Sequence, residues 1–210
     1  MKIRQTSPAC LTFSFSSPQE KRKKVEISIC ANAQEAKTFK IKSDILILTN
    51  GGKDEYDFKS SQDTFLIDGP GEYEVSGIFV HGLAREAEDK RSIYAIASDN
   101  LTVCYLEGRG WQELKPEQSE KIGAVDGLVV SVQKEGGFSG KELRDAISEI
   151  EPKLVVLAIR LGQGKKSSKI DDFLKEMRVK SFETLEEVEF ERENLKEEGR
   201  RIVVLDTKNQ

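Results

Sequence analysis

Three acidic residues stand close together in the stretch Lys53–Asp57, which reads KDEYD. Carboxylates are ligands that Mg²⁺, Ca²⁺ and Mn²⁺ prefer, so Asp54, Glu55 and Asp57 are candidates for a hard-cation site. A solvated acidic loop is the alternative, and the positive charge of Lys53 favours it. The stretch therefore supplies weak metal candidates and no catalytic residue.

A second stretch, GQGKKSS at residues 162–168, combines glycines and lysines in front of a helical pattern. Backbone N–H groups at a helix start attract negative charge, so an anion could bind there. The stretch is not a phosphate-binding P-loop, because Ile159 stands where that motif needs its first glycine and Lys165 is followed by Lys166. We expect a solvated loop.

The other reactive side chains do not form a catalytic pattern. The sole histidine, His81, lies in a strand-like run, and a lone strand histidine is more often packed or exposed than a base. No nucleophile stands at a defined spacing from it, so no triad is proposed. Cys10, Cys30 and Cys104 are widely spaced and lack a Cys-x-x-Cys pair, and we expect reduced, half-buried strand residues.

Composition limits the partners. The chain has 210 residues, of which 37% are hydrophobic and 33% charged, and its formal net charge is −4. That charge gives no general attraction to nucleic acid or anionic lipid. No apolar run approaches the roughly 20 residues that a membrane span needs, and the first thirty residues do not resemble a secretion signal. We expect a cytosolic protein with one domain over residues 1–210.

Up to Glu107 the chain reads as short strands joined by turns. Apolar and polar residues alternate most clearly in LTFSFS and VEISIC, which indicates strands with one face toward water. The basic run KRKK at residues 21–24 joins two of these runs as a hairpin. The first half is therefore expected to be mostly antiparallel sheet. The predicted strands are KIRQT, CLTFSFS, KVEISIC, DILILT, TFLID, GEYEV, GIFVHGL, SIYAIAS and LTVCYLE.

After Trp111 helices and strands alternate. PEQSEKIG and SGKELRDAISEIE are predicted helices, and Ser139 with Glu142 has the spacing of a capping box at the start of the second. A third helix is predicted through Met177, after a similar pair at Ser168 and Asp171. DGLVVSV, KLVVLAI, VEFE and RIVVLD are predicted strands.

The corner Gly69-Pro70-Gly71-Glu72 joins two predicted strands. Proline fixes φ at the second position of a type II turn and glycine supplies positive φ at the third, so we predict a hairpin corner. Chain reversal alone accounts for these residues.

The sequence around this corner is more distinctive than a turn requires. IDGPGEYEVSGIFVHG at residues 67–82, set after DILILTN and before LTVCYLEGRG and ISEIEPKLVVLAI, resembles the metallo-β-lactamase-fold hydrolases. The likeness is to the branch of predicted zinc-dependent hydrolases distantly related to lactonases, and it covers nearly the whole chain from SPACLTF to EPKLVVLAIRLG. It implies an α/β fold built as a four-layer αββα sandwich.

The resemblance also implies where zinc ligands would stand. The family's His-x-His-x-Asp-His loop falls on residues 50–55, where Asn50 and Gly52 replace the first two histidines, Asp54 is retained and Glu55 replaces the last histidine. The remaining family ligands fall on Pro8, on residues 85–88 with the acidic Glu86, on Gly108, and on Ile159 or Arg160. Most of the ligands for zinc are therefore missing, and we expect no resident cofactor.

Two functions follow from this resemblance, with a third kept open. We expect a decayed zinc site and a noncatalytic role in binding a protein or small molecule. The alternative is a metal-dependent hydrolase of esters, lactones or phosphodiesters with a rearranged site. A subunit that docks through the segment FERENLKEEGRR, residues 190–201, is the third possibility.

Overall fold

The computed structural model describes residues 1–7, 9–16, 24–50, 63–84, 92–98, 101–107, 114–133, 138–160, 173–195 and 199–205. Its strands are β1 (Lys2–Ser7), β2 (Cys10–Ser16), β3 (Lys24–Cys30), β4 (Ile45–Leu48), β5 (Phe65–Ile67), β6 (Gly71–Val75), β7 (Ile78–Ala84), β8 (Ser92–Ser98), β9 (Leu101–Glu107), β10 (Gly127–Gln133), β11 (Leu154–Arg160), β12 (Glu183–Leu185), β13 (Glu187–Glu189) and β14 (Arg201–Leu205). Its helices are α1 (Ala33–Thr38), α2 (Pro116–Ile122) and α3 (Gly140–Ile150), and residues 173–176 are also helical.

Each predicted strand has a counterpart among these fourteen, and the predicted helices at α2 and α3 are confirmed. The start of the third predicted helix, with Ser168 and Asp171, lies outside the described residues, as does most of the KRKK run. The strands flanking that run do pair with each other, because Ser16 lies opposite Lys24 in the β2–β3 register.

The strands form two sheets. The first has the order β13-β1-β2-β3-β4-β5 and the second β12-β14-β11-β10-β9-β8-β7-β6. Pairing is antiparallel from β1 to β3 and from β6 to β9, as expected for most of the first half. The β3–β4 and β4–β5 pairs are parallel, and so are the pairs from β9 through β14 to β12.

Strand alternation explains the layers. Along β3, Ile27 and Ile29 point into a core shared with the second sheet, and Val103 and Val129 point into it from the other side. The outer face of the second sheet packs against α2, α3 and residues 173–177, while α1 covers the outer face of the first. The fold is therefore the expected αββα sandwich, and each large apolar side chain buried in it contributes about 1.5–3 kcal/mol.

The Gly69–Glu72 corner differs from the prediction. It is not a hairpin, because β5 lies at the edge of the first sheet and β6 at the edge of the second. The corner therefore carries the chain between the sheets. The tight hairpin follows it at Ser76 and Gly77, whose φ values of 54° and 77° fit a type I′ turn between β6 and β7.

The expectation of reduced cysteines is wrong for two of the three. Cys10 and Cys30 are buried, lie directly opposite each other on β2 and β3, and form a disulfide with Cα atoms 4.3 Å apart. This disulfide depends on the register between β2 and β3, which the linear sequence does not reveal. Cys104 in β9 is free, as expected, but it is fully buried and not half-buried. Burial raises the pKa of its thiol to about 12, so it is no nucleophile at neutral pH.

Candidate functional site

Polar side chains collect where four strands end. The parallel strands β9, β10 and β11 all finish at the same edge of the second sheet. The end of β4 reaches that edge from the first sheet, since Thr49 follows β4 and touches Glu107 at the end of β9. In open and layered α/β folds, ligands often bind beyond the carboxyl ends of strands. This edge is therefore the candidate site.

A buried carboxylate lies at its centre. Glu107 is only 2% exposed, and its Oε2 accepts hydrogen bonds from Tyr105 Oη at 2.7 Å and from Thr49 Oγ1 at 3.4 Å. The second bond joins the two sheets. A buried charge is costly unless hydrogen bonds compensate it, so these contacts are what make a carboxylate tolerable here.

Ser131 extends this group. It lies beside Glu107 on β10 and beside Ala158 on β11 in the parallel register, and it shares the inner face with Val129. It is fully buried, and its Oγ has no hydrogen-bond partner in the part of the chain that the structure describes. We call Thr49, Tyr105, Glu107 and Ser131 the strand-end cluster.

Sequence reasoning missed the strand-end cluster, although a signal was present. ILILT, LTVCYLE and GLVVS each break an apolar strand with a polar residue at its carboxyl end, namely Thr49, Glu107 and Ser131. A polar residue on a buried face needs a partner or a function. That three such residues meet is a property of the tertiary fold.

Only some of the ligand positions carried over from the resemblance lie in the described residues. Asn50 directly follows Thr49 at this edge, is exposed, and donates its backbone N–H to Ala31 O at 3.0 Å. Ile159 and Arg160 end β11 at the same edge of the second sheet. Pro8, Gly52, Asp54, Glu55, Asp57, Gly108, residues 85–88 and the stretch 162–168 lie outside the described residues.

Zinc does not fit the residues that meet here. Within the described ranges, no group of three or more His, Cys, Asp or Glu side chains is placed to hold a metal ion. The strand-end cluster offers hydroxyl groups and one carboxylate, whereas protein zinc sites use imidazole, thiolate and carboxylate ligands in a tetrahedral set. The described side chains at this edge therefore do not form a zinc ligand set.

The sole histidine cannot supply what is missing. His81 on β7 is level with Ala95 on β8, which is level with Cys104 on β9, and Cys104 points to the outer face. Glu107 lies three residues further along and faces the inner core region. The imidazole instead has its Nε2 3.8 Å from Glu72 Oε1, on an edge open to solvent.

This chain was compared with protein-family models, curated sequences and solved structures. The family model of the beta-lactamase superfamily domain matches residues 18–157, two thirds of the chain. The chain belongs to this superfamily. A comparison with curated protein sequences finds no match.

Solved structures agree on the fold. A predicted Zn-dependent hydrolase of the metallo-β-lactamase superfamily from Thermotoga maritima aligns over 98% of this chain and all of its own, with a TM-score of 0.68 and 21% identity. The metallo-β-lactamase-fold protein YhfI from Bacillus subtilis aligns over 97% of this chain and 95% of its own, at a TM-score of 0.57 and 10% identity. At such identities the likeness establishes architecture and not activity.

The sequence analysis predicts no membrane-spanning segment. Among the described residues, no helix is long and apolar enough to cross a bilayer. The cytosolic location, the absence of nucleic-acid partners and the single domain stay predictions.

Proposed function

We propose that this chain is a noncatalytic binding protein of the metallo-β-lactamase fold whose zinc site has decayed. The observation that carries the proposal is the chain's single histidine, held on the outer face of β7 beside Glu72. A superfamily site built from several imidazoles cannot be assembled from one, whatever the remaining loops do.

The strand-end cluster supports the same proposal. Tyr105, Thr49 and Glu107 already engage one another at the edge where a metal would be held, so the carboxylate is committed to protein hydrogen bonds. Buried networks of this kind rigidify a fold. The loop positions contribute Asn50, a weak oxygen donor, and Gly52, which has no side chain.

Metal content tests the proposal. We expect protein purified without chelator to carry well under one zinc per chain by elemental analysis. Added Zn²⁺ should leave the melting temperature unchanged, because a ligand stabilises only by binding the native state. The Asp54→Ala variant should behave as the parent in both measurements. Stoichiometric zinc that survives dialysis and is lost in Asp54→Ala, together with hydrolase activity, would overturn the proposal.

A metal-dependent hydrolase is the second candidate, favoured by the buried carboxylate of Glu107 at this edge. With Asp54, Glu55 and Asp57 it would offer oxygen ligands suited to Mg²⁺, Mn²⁺ or Ca²⁺. Assays of a phenyl ester, a lactone and a bis-aryl phosphodiester with each metal decide it. Metal-dependent turnover that Asp54→Ala abolishes supports this candidate, and no turnover in any combination supports the binding role.

A further inference from the structure

A cavity of about 510 Å³ lies at the opposite end of the sandwich from the strand-end cluster. Lys153 precedes β11 and Arg201 begins β14, so the cavity lies at the amino ends of these parallel strands. β11 has seven residues, so its amino and carboxyl ends lie roughly 20 Å apart. The volume falls within the range of small-molecule pockets. The cavity shares no residue with the strand-end cluster.

Four of the eleven residues that line the cavity have apolar side chains, namely Phe182, Phe190, Leu195 and Ile202. Phe190 is buried in the core between the sheets and Leu195 is half-buried against the same core, whereas Ile202 packs against the cluster on the outer face of the second sheet. Phe182 stands at the mouth and is 42% exposed. A ligand with an aromatic or aliphatic body would remove this surface from water, which favours binding by about 25 cal/mol for each Å² buried.

Two cations at the rim have no carboxylate partner among the described residues. Arg200 donates from Nε to the carbonyl oxygen of Pro152 at 2.9 Å, which fixes its guanidinium group without cancelling its charge. Lys153 is exposed and also lines the cavity. Within the described residues, no ion pair joins either of them to a carboxylate.

The cavity is also lined by Arg201, Glu183 and Glu189. Arg201 forms two hydrogen bonds of 2.8 Å with Glu183, and these bonds raise the pKa of the guanidinium group. Glu189 is exposed and forms no ion pair within the described residues, so its negative charge also faces the cavity. Three cations and two carboxylates give the lining one net positive charge, in a chain whose net charge is −4.

We propose that this cavity binds a small amphipathic organic anion. Its apolar body lies against Phe182, Phe190 and Leu195, and its carboxylate or sulfonate lies at Lys153 and Arg200. The site gives residues of the segment 190–201 a function other than protein docking. It does not depend on whether the strand-end edge holds a metal.

The probe for this site is 8-anilinonaphthalene-1-sulfonate, titrated by fluorescence into the full chain at low salt. We expect saturable one-to-one binding with a Kd below about 1 mM. Lys153→Glu should weaken binding at least about tenfold, because it turns attraction at the rim into repulsion. Lys141→Glu makes the same change in net charge on the exposed face of α3 and should leave binding within about twofold.

A neutral analogue, N-phenyl-1-naphthylamine, separates the charge from the apolar walls. Lys153→Glu should not alter its affinity, whereas Phe182→Ala should weaken both probes. Circular dichroism and melting temperature confirm that each variant is folded. Non-saturable binding, equal effects of Lys153→Glu and Lys141→Glu, or loss of the neutral probe in Lys153→Glu would each overturn the proposal.

Discussion

At the scale of single residues, Gly71 shows how little room the corner between the sheets has. Tyr73 donates its hydroxyl hydrogen to the carbonyl oxygens of Gly69 and Pro70, at 3.3 and 3.4 Å, which holds its ring over the corner. A Cβ on Gly71 would lie 2.9 Å from that hydroxyl oxygen, and φ there is +154°. The corner therefore needs glycine for both space and backbone angle.

Gly71→Ala should lower the free energy of unfolding by about 1–2 kcal/mol, because the methyl group is strained at this φ and displaces the Tyr73 ring. Urea denaturation at neutral pH measures the change. Gly69→Ala is the matched control, since a Cβ there meets nothing within 4 Å. Equal stability of Gly71→Ala and the parent would refute this account of the corner.

His81→Gln should leave ligand binding, and any weak hydrolysis, within about twofold of the parent, because the side chain is remote from the strand-end cluster. Its contact with the largely exposed Glu72 is of the surface kind that contributes little to stability. Steady-state assays and fluorescence titrations check both readouts. A hundredfold loss of an activity would restore His81 as a catalytic candidate.

At the scale of elements, α3 begins with a complete capping box. Ser139 Oγ accepts from the backbone N–H of Glu142 at 3.2 Å, and Glu142 Oε2 accepts from the backbone N–H of Ser139 at 2.8 Å. The bonds to Ser139, first from its backbone and then from its side chain, lower the pKa of the Glu142 carboxyl. The charged carboxylate therefore stabilises this helix start.

The sign of the pKa change fixes the pH dependence. The stabilisation is fully present above the unfolded-state pKa of about 4.5 and disappears as the pH falls through the lower pKa of the folded state. Glu142→Gln should cost about 0.5 kcal/mol at pH 7 and nothing at pH 2. Urea denaturation of both proteins at the two pH values measures this. Asp145→Asn, in the middle of the same helix, is the control, and a cost that is equal at both pH values would contradict the prediction.

The positions of strands and helices could be predicted from the sequence, but the contacts between distant elements could not. The alternation in VEISIC and the capping pair at Ser139 are local, so the sequence alone locates β3 and α3. The disulfide needs the β2–β3 register, and the contact of Thr49 with Glu107 joins residues 58 positions apart. The Gly69–Glu72 corner reads as a hairpin because no local pattern tells a turn within a sheet from a passage between two sheets.

At the scale of the whole molecule, both halves of the chain build one core. Ile27 and Ile47 of the first sheet pack in the same cluster as Val156 and Val203 of the second, and Val188 returns to the first sheet beside Ile3. Neither sheet can bury its inner face without the other.

This shared core predicts a single unfolding transition. In calorimetry, we expect the enthalpy measured directly to equal the van't Hoff enthalpy, because no part of the core can open independently. Circular dichroism and tyrosine fluorescence should give the same midpoint. Two resolved transitions, or midpoints that differ between the probes, would show that the chain is not one domain over residues 1–210.

The pairing of β1 with β13 has a consequence for synthesis on the ribosome. Lys2 meets Glu187 across 185 positions of sequence, so the partner of the first strand is among the last strands made. At elongation rates of about 5–20 residues per second, β1 waits roughly 10–40 s with that edge unpaired. An unpaired strand edge invites pairing with another chain. Until β13 has been made, this edge of β1 is therefore open to pairing with another chain, and we expect a chaperone that covers it to reduce aggregation.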